Sequence, residues 1–333
     1  MPLLLADPGI DSAILLFVPP VAVPARDVGE AMSEAVATAN QPEKTVLACI
    51  LAAEGAPATL RSAANIPSFA YPESAARALG RAAERAEWLR GSAGSVPQLD
   101  GIETDQAHEI VARALREADE AWLTPEDVRA VLEAYGVPVV PERLASGPGE
   151  AVAAARELGF PAVVKTATPG AHKTETGGVA LNLADEAEVH AAAERIGGAV
   201  VIQPMITGGA ELLAGVVQDP LFGPLVAFGP GGVLAELIGE AHFRLAPLTD
   251  VDAGELVHEG KAGRLVTGFR GAPAADARAL TDVLHRLSRL AEDVPEVAEL
   301  DLNPIMALPD RAVAVDARIK LARPHVRPHA KTW

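Results

Sequence analysis

The stretch "ELDLNPIMALPDRAVAVDARI", residues 299–319, sets Glu299, Asp301 and Asn303 at alternate positions in an otherwise apolar run. Side chains of a strand alternate between its two faces, so these three share one face and Leu300 and Leu302 take the other. The chain then turns at Pro309-Asp310 and returns with Asp316 among alanines and valines. A symmetric turn closed by Leu308 and Arg311 opposes Asn303 to Asp316, although Pro309 disfavours the usual primed turns and leaves a register one residue away open. Directly opposed side chains lie close enough to share a cation, and an oxygen-only pair suits Mg²⁺ completed by the phosphates of a nucleotide. The competing reading is an edge hairpin with its acids in water. Spacing alone leaves the two level.

At 333 residues the chain is long for one core, which implies two or three domains. Hydrophobic residues make up 49% and aromatics only 4%, a composition that suits helices packed on sheets, an α/β protein. The net charge of −17 and the absence of a basic block argue against a nucleic-acid partner. Residues 91–127 carry nine acids against two arginines, the pattern of a solvated face or linker. Acidity does not exclude a nucleotide, since Mg²⁺ and a few local cations neutralise phosphates. The lone Cys49 lies in the strand-like "KTVLACILAA" and reads as a buried, inert thiol. "MPLLLADPGIDS" lacks the cationic start of a signal peptide. "AILLFVPPVAV" is too short to span a bilayer and holds two prolines, so the expectation is a cytoplasmic protein without a membrane partner.

Residues 1–90 read as a small α/β unit. "SAILLFVPP" and "KTVLACILAA" are strand-like apolar runs, "ARDVGEAMSEAVATAN" is helical between them, and "ESAARALGRAAERAEWLR" is a strong helix after them. Strand and helix in alternation imply a parallel sheet. "GSAGSVPQLDG" is a Gly/Ser/Pro linker, and residues 91–121 are assigned to that linker plus an acidic helix. Thr124 then caps a helix with Pro125 at its first position, and Gly136 with Pro138 stops it. "GEAVAAARELGFPAVVKTA" repeats the helix–Gly–strand design, short strands dominate from residue 199, and a helix at 273–292 precedes the hairpin. Residues 122–323 form the second domain and 324–333 a tail.

Several segments carry candidate chemistry. In "VVKTATPGAHKTETGGVALNL" Lys165 ends a strand, and a loop with Gly170, Gly177 and Gly178 follows. Glycines let backbone approach phosphate, and lysine supplies a point charge. His172 beside Lys173 is a candidate nucleophile, against the plainer reading of a solvated pair in a hairpin loop. "FGPGGVLAEL" offers a tight turn through Gly229, Gly231 and Gly232, with Glu236 beyond it. Arg244 in "AHFRLAPL", Arg270 in "LVTGFRG" and Glu211 in "GGAELLAGV" are charged groups in apolar surroundings, each ambiguous alone. Together, a strand lysine, a Gly-rich loop and a distant Asn/Asp hairpin match the needs of a Mg–nucleotide cleft between two lobes.

These blocks carry a resemblance. "LEAYGVPVVP", "FPAVVKTATPGAHKTETGGVAL", "VIQPMITGGAELLAGVVQDPLFGPLVAFGPGGVLAEL", "FRLAPL", "GFRG" and "ELDLNPIMA…VDARI" resemble the ATP-grasp domain of the NDP-forming acyl-CoA synthetases. These are the ADP-forming acetate–CoA ligases, relatives of succinyl-CoA synthetase. Residues 1–90, through "DPGIDSAILLFVPP" and "YPESAARALGRAAERAEW", resemble that family's flavodoxin-like ligase domain. The resemblance implies an α/β fold with a small flavodoxin-like ligase domain followed by a two-lobed ATP-grasp domain. It implies Mg²⁺ as cofactor and ATP or ADP as substrate. Lys165 would touch the phosphates, Gln203, Pro204, Met205 and Ile206 would form the adenine-facing hinge, and Glu211 would lie near the ribose. Gly177, Gly178 and Arg244 are counted with the same nucleotide-binding set. Asn303 and Asp316 would hold the metal, and His172 matches a histidine that carries phosphate between sites.

Two departures stand out. No Gly-His-Ala-Gly-type loop occurs, nor the family's CoA-binding Rossmann domain, and "TPGAHK" is one residue shorter than the usual Pro-to-His spacing. The chain is therefore read as a subunit or fragment of an ADP-forming acid–CoA ligase. A CoA-binding α-type subunit or domain would bring CoA and a small carboxylic acid. The rival reading is a catalytically inactive regulatory module, similar to the synthetase-like region of certain protein acetyltransferases.

Overall fold

Two sequence patterns, alternating strand and helix before residue 90 and clustered short strands after 199, become two different sheets. The computed structural model describes residues 1–18, 23–52, 55–168, 177–232 and 239–323. The chain divides into Met1–Ser92 and Ala93–Trp333. In the first unit, α1 (Pro2–Leu5), β1 (Ser12–Phe17), α2 (Ala25–Ala39), β2 (Thr45–Ile50), α3 (Thr59–Ala64), β3 (Ser68–Phe69) and α4 (Pro72–Arg90) follow in order. The strands are parallel in the order β1-β2-β3, as the alternation implies. Val46, Ala48 and Ile50 point to a core shared with Leu5, Leu60, Ile66 and the α2 side chains Met32 and Val36. Cys49 is buried, and burial together with nearby Glu73 pushes its thiol pKa up, which leaves it inert.

The second unit continues with α5 (Thr104–Ala114), β4 (Glu120–Trp122), α6 (Pro125–Ala134), β5 (Arg143–Ala145), α7 (Pro148–Leu158), β6 (Ala162–Thr166) and β7 (Val179–Leu183). Then come α8 (Glu186–Ile196), β8 (Val200–Pro204), β9 (Ala210–Asp219), β10 (Gly223–Pro230), β11 (His242–Leu245), α9 (Asp250–His258), α10 (Gly260–Val266) and α11 (Ala277–Asp293). The hairpin strands β12 (Val297–Ala307), β13 (Ala312–Ala314) and β14 (Ala317–Ala322) close the unit.

These elements build two lobes. The smaller is a four-stranded antiparallel sheet, β5-β8-β6-β7. Its face bearing Ala162, Val164, Val200 and Ile202 packs on Ala151, Ala155, Val189 and Ala193 of α7 and α8. Alternation leaves Val163, Lys165, Val201 and Gln203 on the opposite face. The larger lobe is a seven-stranded sheet, β11-β10-β9-β12-β14-β4, with β13 beside β12. Leu212, Ala214, Val216, Val226, Leu300, Leu302 and Ile319 face a helical layer that includes Leu256 of α9 and Leu280, Leu284 and Leu287 of α11. Helix α11 buries positions at the i, i+3, i+4, i+7 spacing of a one-sided helix, and the Asp276 carboxylate caps it by accepting from Arg278 and Ala279 N–H.

The segment read as a linker is fastened from Ser95 onward. Ser95 N donates to the Asp250 carboxylate at 2.6 Å, and Asp250 N returns a bond to Ser95 O at 2.9 Å. That first bond holds the Asp250 carboxyl below its ordinary range. Helix α5 buries Ala107, Ile110 and Val111 in the large-lobe core, so Asp105 and Glu109 of the acidic stretch lie on the outer side of an amphipathic helix. Among the described residues no helix is long and apolar enough to cross a membrane.

Candidate active site

The hairpin comes first, because its register decides what its oxygens can do. Leu302 pairs with Ala317, Asp301 with Arg318, and Ile305 with Ala314. Leu308 N donates to Arg311 O at 2.8 Å to close the turn, and Asn303 N donates to Asp316 O at 3.1 Å. Asn303 thus lies opposite Asp316, and the register one residue away is excluded. The edge-hairpin alternative is excluded as well, since β12 runs between β9 and β14 inside the sheet. Asp301 and Arg318, opposed on the same face, form a half-buried ion pair at 2.7 Å.

Lys165 approaches from the other lobe. Its strand ends at Thr166, its side chain is buried, and its Nζ donates to Val315 O at 2.5 Å. The same Nζ stands 3.9 Å from Asp316 Oδ1. The pairing of β6 with β8 puts Val201 opposite Lys165 and Gln203 opposite Val163, so all four share the cleft face. Gln203 is buried, and its Nε2 donates to Glu142 Oε2 at 2.8 Å. Glu142 was missed by the sequence reading. It sits one residue before β5 in "PERLA", and only the antiparallel pairing with β8 brings it beside Gln203. After Pro204, Met205 N donates to Pro161 O at 2.9 Å, while Ile206 packs on Val140, Met306, Leu308 and Val313. Gly178 O accepts from Thr166 N at 2.8 Å, which keeps the end of the glycine loop against the Lys165 strand. Gly177 beside it has a φ of 69°, a conformation that favours glycine. Gly170, His172 and Lys173 lie outside the described residues, as does Glu236.

The glycine turn after β10 reaches the hairpin. Gly231 N donates to Glu211 O at 2.9 Å, and Gly232 N donates to Asn303 Oδ1 at 2.8 Å. Gly232 has a φ of 59°, and a Cβ there would run into the Glu211 carboxylate. The turn therefore fixes the Asn303 carboxamide. Gly232→Ala should disturb both the turn and that carboxamide, lowering stability by about 1–3 kcal/mol. Chemical denaturation reads this directly; unchanged stability would reduce the contact to packing.

Arg244 does not join this set. On β11 it alternates with Phe243 and Leu245, and it pairs with Val226, whose side chain faces the helices. Its guanidinium bonds Glu259 at 2.9 Å and approaches Glu255 at 3.5 Å. The same corner holds Glu240, whose carboxyl is drawn down to about 2 by the backbone N–H and ammonium of Lys261 and by His242. Arg244 thus serves an ion network on the helical side of the sheet. Arg270, at a φ of 53°, stands over the ring of Phe269.

The oxygen pair fits a hard divalent cation. Asn303 Oδ1 and the Asp316 carboxylate are the right donors, and the buried ammonium of Lys165 already lies against that carboxylate. Among the described residues no three His, Cys, Asp or Glu side chains gather to enclose an ion, so phosphate and water oxygens would complete the shell.

A lysine lowered from a small antiparallel sheet onto an Asn/Asp hairpin of a larger sheet defines a two-lobed cleft. Comparison with known proteins names its kind: residues 113–321 match the ATP-grasp domain model. The beta subunit of acetate–CoA ligase (ADP-forming) I from Pyrococcus furiosus is 36% identical over 229 residues, 65% of this chain and 98% of that subunit. The acetate–CoA ligase (ADP-forming) I of Archaeoglobus fulgidus is 35% identical over 297 residues, which cover 84% of this chain. The chain spans only 42% of that relative's length. Among solved structures, the acetyl-coenzyme A synthetase 1 of Ca. Korarchaeum cryptofilum superposes with a TM-score of 0.57 at 38% identity, over 65% of this chain and all of that one. That structure holds coenzyme A and Mg-AMPPCP, with its phosphohistidine segment pointing towards the nucleotide binding site. The chain belongs to the ATP-grasp family related to the ADP-forming acyl-CoA ligases, akin to succinyl-CoA synthetase.

Proposed function

We propose that this chain is the nucleotide-handling part of an ADP-forming acid–CoA ligase. The overall reaction interconverts acid, CoA and ATP with acyl-CoA, ADP and phosphate. The observation that carries the reading is Lys165 crossing from the small lobe to Val315 and Asp316, on the hairpin that opposes Asp316 to Asn303. In this reading the cleft face of the small lobe covers the nucleotide. The backbone of Gln203 to Ile206 meets the adenine edge, Glu211 lies near the ribose, and the Gly177-Gly178 backbone approaches the phosphates. Lys165 offsets phosphate charge, while Asn303 and Asp316 hold Mg²⁺. When bound, the metal neutralises and orients the phosphoryl oxygens.

The chemistry then divides into two transfers. A neutral His172 nitrogen attacks the terminal phosphorus of ATP, the bond to the bridging oxygen breaks, and ADP leaves with the electron pair. The phosphohistidine passes its phosphoryl group on for carboxylate activation, and the CoA thiol finally displaces phosphate from the acyl carbon. The second half takes place on a CoA-binding chain or domain outside this one, a reading supported by the chain's spanning only 42% of the longer relative.

The test is Mg²⁺-dependent ADP binding by the purified chain. Calorimetry should show affinity that falls about 100-fold or more when Mg²⁺ is withheld, or when Asn303→Ala and Asp316→Ala are combined, since two charge-assisted contacts are removed. Tight, metal-dependent binding that survives the double substitution would overturn the metal assignment. Absence of any Mg·ADP binding would overturn the function.

A further inference from the structure

Lys165 is a charged side chain with only 7% of its surface exposed, and it reaches across the cleft rather than toward solvent. A buried ammonium is tolerated only when paired and hydrogen-bonded. Pairing is offered by the hairpin among other neighbours: Val315 O accepts at 2.5 Å and Asp316 Oδ1 lies at 3.9 Å. Asp316 is also the carboxylate assigned to the metal. A cation bound to Asp316 Oδ1 at a usual oxygen–metal distance of about 2.1 Å would stand no more than about 6 Å from this ammonium, given the 3.9 Å separation. Charges of +2 and +1 at that range, in a site this enclosed, repel strongly.

We propose that Lys165 is the counter-ion of the ligand-free cleft, occupying the electrostatic place of the metal, so that a divalent cation enters only together with a nucleotide. This rests on the nucleotide reading above and adds an order to it. A nucleoside diphosphate brings enough negative charge to draw the ammonium off Asp316 and onto phosphate oxygen. That move frees Asp316 for the metal and relieves the repulsion at once. Metal without nucleotide meets a site already neutralised, and nucleotide without metal brings phosphate against the Asp316 carboxylate. The Gly232 bond to Asn303 keeps the second ligand in place throughout, so only the Asp316 side of the site changes partner.

Mn²⁺ binding without nucleotide is the discriminating measurement, read from the electron paramagnetic resonance signal of the free aquo ion. The parent chain should bind Mn²⁺ alone at least about ten-fold more weakly than Lys165→Met, because the substitution removes the resident positive charge. Lys165→Arg, which keeps that charge, should behave like the parent. Lys165→Met combined with Asp316→Asn should lose the gain, placing it at this carboxylate. In the parent, protein-bound Mn²⁺ counted by equilibrium dialysis against matched Mn·ADP solutions should tighten by about ten-fold or more with ADP present, with Mn²⁺ tightening ADP by the same factor. Circular dichroism and melting curves verify each fold, and Lys165→Gln replaces Lys165→Met should the latter fail to fold.

A neutral variant that binds Mn²⁺ no better than the parent overturns the proposal, as does a parent whose Mn²⁺ affinity is the same with and without ADP. Failure of the proposed function would look different. The parent would then bind no Mg·ADP, whereas the metal-only comparison across the Lys165 variants still yields an answer.

Discussion

Incubated alone with CoA, a small carboxylic acid and Mg·ATP, the purified chain should form no acyl-CoA, and addition of a CoA-binding subunit should bring turnover above background. The expectation rests on what the site holds. Lys165, Gln203 and Asp316 line one cleft, with Asn303 opposite Asp316. The correspondence with the separately encoded beta subunit from Pyrococcus furiosus covers 98% of that subunit, whereas the chain spans 42% of the single-chain Archaeoglobus fulgidus relative. Thioester formation needs the thiol of CoA and the acid held in line, and the proposed roles of the cleft residues are all spent on nucleotide and metal. A coupled assay for acyl-CoA measures the outcome. Turnover by the chain alone would overturn the division of labour. Nucleotide binding that never leads to turnover, with any CoA-binding partner supplied, would favour the regulatory module.

A second all-or-none effect is expected at His172. In the complete assembly, terminal-phosphate label from ATP should appear on this chain in an acid-labile, base-stable form, as expected of a phosphorus–nitrogen bond. His172→Ala should abolish that label and leave Mg·ADP binding within about two-fold, since the cleft contacts are made by other residues. By the resemblance, the sequence from Pro169 to His172 is one residue short of the usual spacing, which makes this a strict test of reach. Unchanged turnover after His172→Ala would leave the residue without a role in transfer.

The hairpin was legible in the sequence because strand alternation and a short turn are local rules. Glu299, Asp301 and Asn303 fall on one face whichever sheet receives them, and Leu308 with Arg311 sets the register. Arg244 was not legible for a related reason. Alternation separates it from Phe243 and Leu245, yet nothing local says which face of β11 the helices will cover. Glu142 carries no pattern of its own and acquires meaning only beside Gln203, 61 positions later. The bond from Gly232 to Asn303 spans 71 positions, and the one from Ser95 to Asp250 spans 155. Contacts of that reach are set by the assembled sheet, so "GSAGSVPQLDG" reads as a linker although most of it is laid down along the large lobe.

Both chain crossings between the lobes are stitched to the same hairpin. On the first, Ala314 N donates to Pro138 O and Val140 N to Ala314 O, each at 2.9 Å. On the second, Ile206 packs into the cluster of Met306, Leu308 and Val313. The hairpin that carries Asn303 and Asp316 is thus also the point about which any rigid-body opening of the small lobe would turn. In a lever of this kind the points nearest the pivot travel least, while the far edge of the small sheet sweeps the widest arc. Such an opening would leave the Asn303–Asp316 pair almost stationary and spend the motion on β7, the edge strand of the small sheet.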